Sequence, residues 1–271
     1  MKRRDFLSGA TSGMIATLLG TQTSNRALAD ETTAIQRDFI EIRIFWVEKE
    51  EKKNALIEQI DEKLIPLRNK LGFDKIGVFS VNDELHQNDG SFIYRYKNAV
   101  FVISSHSSIT KMITLEDQVR DSIPASDFLN NASEFNLYSE QDCSLLQAFP
   151  SCPKVEIPTK SPERVIQLRY YYSPNYERNQ AKLNMFDVRG ELDLFRRCQM
   201  NPVFFGKTIY GQFMPNITYM LSFENDEARK KGWDQFVSSD EWKTMSGESQ
   251  FENTAIKIRN LFLKPSPKSQ I

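Results

Sequence analysis

The chain has 271 residues, with 40% hydrophobic and 26% charged side chains, a balance that excludes a disordered or fibrous protein and leaves room for one or two domains. Its 35 basic and 36 acidic side chains give a net charge of −1, and without residues 1–29 (Lys2, Arg3, Arg4, Arg26 and Asp5) the balance is 31 to 35. That leaves no concentrated basic surface for nucleic acid. The two histidines lie far from the three cysteines in sequence, which argues against a multi-histidine metal centre.

Residues 1–29 read as an address. Lys2, Arg3 and Arg4 form a basic head, and Arg3-Arg4-Asp5-Phe6-Leu7 has the form of a twin-arginine export signal. A weakly apolar stretch follows, too short and polar to span a bilayer. Ala27-Leu28-Ala29 supplies a small-x-small cleavage triplet. The expectation is cleavage after Ala29 and an exported, periplasmic protein starting at Asp30. No later segment is long and apolar enough to span a membrane.

The first half, residues 30–149, begins with Phe39-Ile40-Glu41-Ile42-Arg43-Ile44-Phe45-Trp46, a β-branched and aromatic run that predicts a strand. Leu56, Ile60, Leu64, Leu67 and Leu71 then fall on one helical face, with Pro66 set to kink it. Strands are predicted at 76–81 and 98–104, a helix around Asp117-Gln118-Val119, and a closing strand near 144–149. Pro150, Pro153, Pro158 and Pro162 mark residues 150–162 as a linker.

The second half, 163–264, repeats the plan. Val165-Ile166-Gln167-Leu168-Arg169-Tyr170-Tyr171-Tyr172 matches the opening strand, arginine included. One helix is predicted through Leu183, Phe186, Gly190, Leu194 and Cys198, then strands at 203–209 and 216–222. A helix around Asp234-Gln235-Phe236 and a strand at 255–262 complete the order, and 265–271 is a tail. Strand-helix-strand-strand-helix-strand, twice, predicts an α+β protein of two tandem ferredoxin-like repeats with antiparallel sheets.

The second copy resembles the NIPSNAP family. Val165 to Tyr171 is similar to that family's opening "E-L-R-T-Y" strand, with Tyr170 in place of Thr. Asn201-Pro202-Val203-Phe204-Phe205-Gly206 resembles its next strand. Asn216-Ile217-Thr218-Tyr219-Met220-Leu221, Trp233, Phe236 and Ser239-Asp240-Glu241-Trp242 follow its "N-x-x-Y-x-L … W-x-x-F … D-P-x-W" order, with Glu241 for proline. The tail, Leu263 to Ile271, resembles the ending of exported bacterial members. Resemblance is close from Glu163 onward and faint over 39–149, where the Asp-Trp element is reduced to Asp127-Phe128. It implies a dimeric α/β-barrel fold, two ferredoxin-like sheets packed face to face. The family carries no agreed catalytic chemistry.

Strand alternation puts Ile40, Ile42 and Ile44 on one face and Glu41, Arg43 and Phe45 on the other; Ile166 and Leu168 likewise oppose Gln167, Arg169 and Tyr171. If the aliphatic faces meet the helices, the arginine faces line the barrel interior. Arg169, Tyr171, Arg43 and Gln167 are then the candidate ligand-binding residues, since a guanidinium in an apolar cavity clamps a carboxylate or phosphate. The competing account is that internal carboxylates such as Glu41 satisfy the arginines. Asp240 is expected to cap a short helix that docks Trp242.

Aromatics concentrate at Tyr170, Tyr171, Tyr172 and Tyr176 and at Phe204, Phe205 and Tyr210, which suits a hydrophobic ligand or plain strand packing. His106, beside serines at a strand end, reads as solvated, with haem ligation the alternative. Cys143 and Cys152 are near enough in sequence to bridge in an exported protein, and Cys198 falls on an apolar helix face. No dinucleotide, phosphate-loop, Cys-x-x-Cys or nucleophile-elbow motif occurs, so no cofactor and no catalytic residue is assigned. The expected function is a non-enzymatic module for a small hydrophobic or anionic ligand or a protein partner, able to form homo-oligomers. A small cofactor-independent oxygenase or isomerase using the barrel interior is the alternative.

Overall fold

A computed structural model describes residues 35–86, 95–122 and 136–271. The signal residues Arg3 and Arg4, the cleavage position Ala29, and Asp127-Phe128 lie outside the described residues. In the first half β1 (Phe39–Trp46) leads into α1 (Glu50–Gln59), a π-helical stretch (Ile60–Leu64) and α2 (Ile65–Lys70). Pro66, in the first turn of α2, has no N–H to continue the α1 ladder, and the π-helical stretch stands just before it. Then come β2 (Gly77–Val81), β3 (Val100–His106), α3 (Ile109–Ser122) and β4 (Glu140–Ala148).

The second half runs β5 (Val165–Tyr172), α4 (Tyr176–Asp187), α5 (Glu191–Arg197), β6 (Asn201–Tyr210), β7 (Asn216–Phe223), α6 (Asp226–Ser238), α7 (Asp240–Ser246) and β8 (Lys257–Pro265). The single helix expected through Gly190 is two helices. Gly190 sits at φ +92°, left-handed backbone that ends one helix axis and starts another. The cap of α7 is Ser239, whose hydroxyl accepts the Trp242 amide at 3.2 Å, and Asp240 is the first helical residue instead of the cap. Among the described residues no helix is long and apolar enough to cross a membrane.

Two tandem ferredoxin-like sheets packed face to face do not form. All eight strands join one closed antiparallel barrel in the order β1-β3-β2-β8-β5-β7-β6-β4. One chain therefore supplies the whole barrel, which corrects the dimeric arrangement too. The closure has a simple cause: a four-stranded sheet from either half would expose two edges of unpaired backbone groups. β2 instead pairs with β8 (Val81 opposite Leu263), and β4 pairs with β6 (Ala148 opposite Gly206).

The faces are also reversed from expectation. Ile40, Ile42, Ile44, Ile166 and Leu168 share one buried cluster with residues of all the other strands: they fill the barrel. An eight-stranded barrel is just wide enough for such side chains to meet across it. The opposite faces pack under the helices in two further clusters, one per half. Residues 150–162 are built into the same structure: Val155 joins the interior cluster, and the Asp38 and Glu156 amides donate to Pro153 and Val203 carbonyls, both at 2.8 Å. In the tail, the Gln270 amide donates to the Ile76 carbonyl at 2.9 Å and Ile271 also joins the interior.

Candidate functional site

Beneath the helices of the first half lies a buried network of charge. Arg43 Nε donates to Glu41 Oε1 at 2.7 Å, and its Nη2 stands 2.5 Å from Glu116 Oε2 on α3. Arg68 on α2, 1% exposed, donates from Nη2 to Glu116 Oε1 at 2.5 Å and from Nη1 to Ser104 Oγ at 2.6 Å. Two guanidinium groups and two carboxylates thus tie α2 and α3 to β1 and β3, with no net charge. Burial alone would raise the Glu41 carboxyl, but the His106 ring, Arg43 and Arg68 outweigh it and hold it at about 2.

His106 ends β3 beside this network. It is 2% exposed, its Nε2 stands 3.6 Å from Glu41 Oε2, too far for a hydrogen bond, and neither ring nitrogen has a hydrogen-bond partner. A buried polar side chain in that condition is uncommon. Phe73 packs against the imidazole with ring centroids 5.6 Å apart. Both residues line a cleft of about 500 Å³. One wall is the turn after α2, with Leu71, Phe73 and Lys75; the other is α3, with Thr110, Lys111, Thr114, Leu115 and Gln118. Asp38, Ser105 and Ser107 line it from the strand side, and Lys154 adds a third ammonium group. Asp38 already accepts the Ser105 hydroxyl at 2.7 Å, and Lys75 donates to the Val155 carbonyl at 3.0 Å.

The second half fills the same layer with aromatic rings. Arg169 lies over Trp233 of α6 at 4.4 Å and donates to the Tyr171 hydroxyl at 3.2 Å. Tyr219 donates to that hydroxyl at 3.0 Å and stacks on Phe205 with centroids 4.4 Å apart. Burial pushes the Tyr219 hydroxyl well above its ordinary value. Gln167 accepts from Trp233 Nε1 and donates to Asn260 Oδ1, both at 2.8 Å. Next to these rings, Lys182 and Glu191 form a buried pair at 2.7 Å. Burial outweighs the pull of Lys182 and Arg169 and leaves the Glu191 carboxyl above its ordinary value.

Of the expected ligand residues, Arg169, Tyr171 and Gln167 therefore stand together, but under the helices and not inside the barrel. Arg43 belongs to the other layer. Its partners are Glu41, as the competing account had it, and Glu116. The Cys143–Cys152 bridge is absent; all three cysteines are free. Cys143 sits in β4 opposite Arg43, and Cys152 lies beyond the strand's end, bridged to Phe149. At roughly 3.3 Å per strand residue the two are far outside disulfide reach. Sequence reasoning missed His106 as a buried residue, and with it Arg68, Phe73 and Glu116. One signal was available: Arg68 follows Leu64 by four, on the stripe assigned to the core. Among the described residues no group of three or more His, Cys, Asp or Glu could hold a metal ion.

Residues 166–270 match the NIPSNAP family model. The chain thus carries a NIPSNAP-like domain, in the half where the strand motifs resemble that family, and the cleft lies outside the matched residues. A search of curated proteins finds no match. Among solved structures, two bacterial proteins called "putative monooxygenase" share the fold. The one from Lactobacillus acidophilus is 12% identical over 87% of this chain and 98% of its own, with a TM-score of 0.54. The one from Fusobacterium nucleatum is 8% identical over 85% and 93%, with a TM-score of 0.56. An anthrone oxidase-like protein is 9% identical over 86% and 93%, with a TM-score of 0.53. At these identities the likeness is one of fold alone.

Proposed function

We propose that the protein is a small-molecule-binding module whose site is the cleft between α2 and α3. The observation that carries this reading is His106, buried at a cleft of about 500 Å³ with no hydrogen-bond partner on Nδ1 and only Glu41 Oε2, 3.6 Å away, before Nε2. The volume is that of a small-ligand pocket, and apolar walls with a few polar groups are what such pockets offer. The barrel interior is filled with aliphatic and aromatic side chains, Phe79, Phe101 and Phe204 among them, and supports no such role. On the strength of the Arg3-Arg4 pattern and the Ala27-Leu28-Ala29 triplet, we place this binding outside the cytoplasm.

Native mass spectrometry of protein purified from its own host tests the reading. The wild-type chain should carry a small-molecule adduct. Thr114→Trp, which projects an indole into the cleft from the exposed face of α3, should lose it, and Arg169→Met in the other layer should keep it. An adduct that survives Thr114→Trp, or a wild-type chain without one, overturns the assignment.

A further inference from the structure

We propose that the cleft takes a molecule with an apolar body and a single carboxylate, the carboxylate seated at the N-terminus of α3 beside His106. This rests on the cleft being the binding site and names the ligand class. Three observations carry it. The first is the helix end itself. Ser108 caps α3, its hydroxyl accepting the Lys111 amide and its carbonyl the Met112 amide, both at 3.1 Å. The Ile109 and Thr110 amides belong to the turn whose N–H groups have no acceptor within a helix, and that end of the helix dipole favours an anion. No acidic residue occupies this first turn.

The second is His106. It lines the same cleft at 2% exposure, its Nε2 facing only Glu41 Oε2 at 3.6 Å and its Nδ1 without a hydrogen-bond partner. The third is the balance of charge. The network below cancels itself, two arginines against two glutamates, and gives an incoming anion no net repulsion. Around the cleft stand Lys75, Lys111 and Lys154 against Asp38 and Asp74. Lys111 and Lys154 have no ion-pair partner among the described residues. Leu71, Phe73 and Leu115 offer the apolar surface for the body of the ligand.

Octanoate and octanol, which share a chain and differ in charge, separate the ligand class from the cleft itself. In titrations followed by amide and imidazole resonances, octanoate should shift Thr110, Lys111 and His106, and octanol should bind at least about tenfold more weakly. Lys111→Glu, at an exposed position, should weaken octanoate by about tenfold and leave octanol unchanged. His106→Phe should weaken octanoate, and Lys111→Glu keeps the test open if that variant does not fold. Octanol binding as tightly, with the same residues shifting, overturns the anion inference and leaves the cleft as a binding site. Shifts confined to the second half, or none with either compound, overturn the inference, while the adduct measurement decides the cleft separately.

Discussion

Arg43 and Arg169 occupy the same place, the fifth residue of β1 and of β5, and both point beneath helices. Arg43 meets Glu41 and Glu116 at ion-pair distance, whereas Arg169 meets the faces of Trp233 and Tyr171. The neighbours in the sequence decide the difference. β1 carries Glu41 where β5 carries Gln167, and β3 has Val102 opposite Arg43 where β7 has Tyr219 opposite Arg169. One layer is held by charge and leaves a cleft between its helices; the other is packed with rings. A repeated backbone plan thus yields one half whose helix layer leaves a cleft and one whose helix layer is filled with rings.

The largest expected effect breaks the comparison at the shared arginine. Arg43→Met leaves Glu41 without its closest cation and Glu116 with one of two, and should lower unfolding free energy by about 3 kcal/mol. Arg169→Met removes a cation held by aromatic faces and one hydrogen bond, while the nearby Glu191 keeps its close partner Lys182 at 2.7 Å, and should cost no more than about 2 kcal/mol. Urea unfolding of the two variants, read side by side, checks the contrast. Equal losses would mean that the layers do not differ as described.

The next effect is one of pH and belongs to the first half. The Glu41 carboxyl is held at about 2, below its usual 4.5, so the folded protein keeps the carboxylate where the unfolded chain takes up a proton. The stabilisation is whole above pH 4.5 and drains as pH falls through about 2. Its full extent is on the order of 3 kcal/mol, at about 1.4 kcal/mol for each unit. Unfolding curves collected stepwise between pH 6 and 2 should show this loss in the wild type and a shallower one in Glu41→Gln. Parallel slopes would remove Glu41 as the cause.

The smallest effect sharpens how each half breaks its helix. The first does so with Pro66 and a π-helical stretch, the second with Gly190 in left-handed backbone. A Cβ at Gly190 meets open space, so Gly190→Ala suffers only from its backbone angle, about 1 kcal/mol. Gly190→Asn should recover part of that, since Asn tolerates the region better. A calorimetric melting series of the three chains would read the order, and an alanine variant as stable as the wild type would refute it.

The sequence by itself determined the order and kind of most elements. β1 and β5 lie where alternation and β-branched runs put them, because a strand's two faces are written at every second residue. It also carried the likeness of the second half to NIPSNAP, through motifs spread along strands and helices. Only the tertiary structure decided which face turns inward. Both faces of these strands are buried, one in the barrel and one under helices, so a pattern of two apolar environments has no outside to orient it. Closure was equally out of reach of local pattern, because β2–β8 and β4–β6 pair residues 58 or more positions apart in the chain. His106 shows the same limit at the scale of one side chain. Serines on both sides spelled exposure, and Phe73 and Glu41, distant in sequence and adjacent in space, buried it.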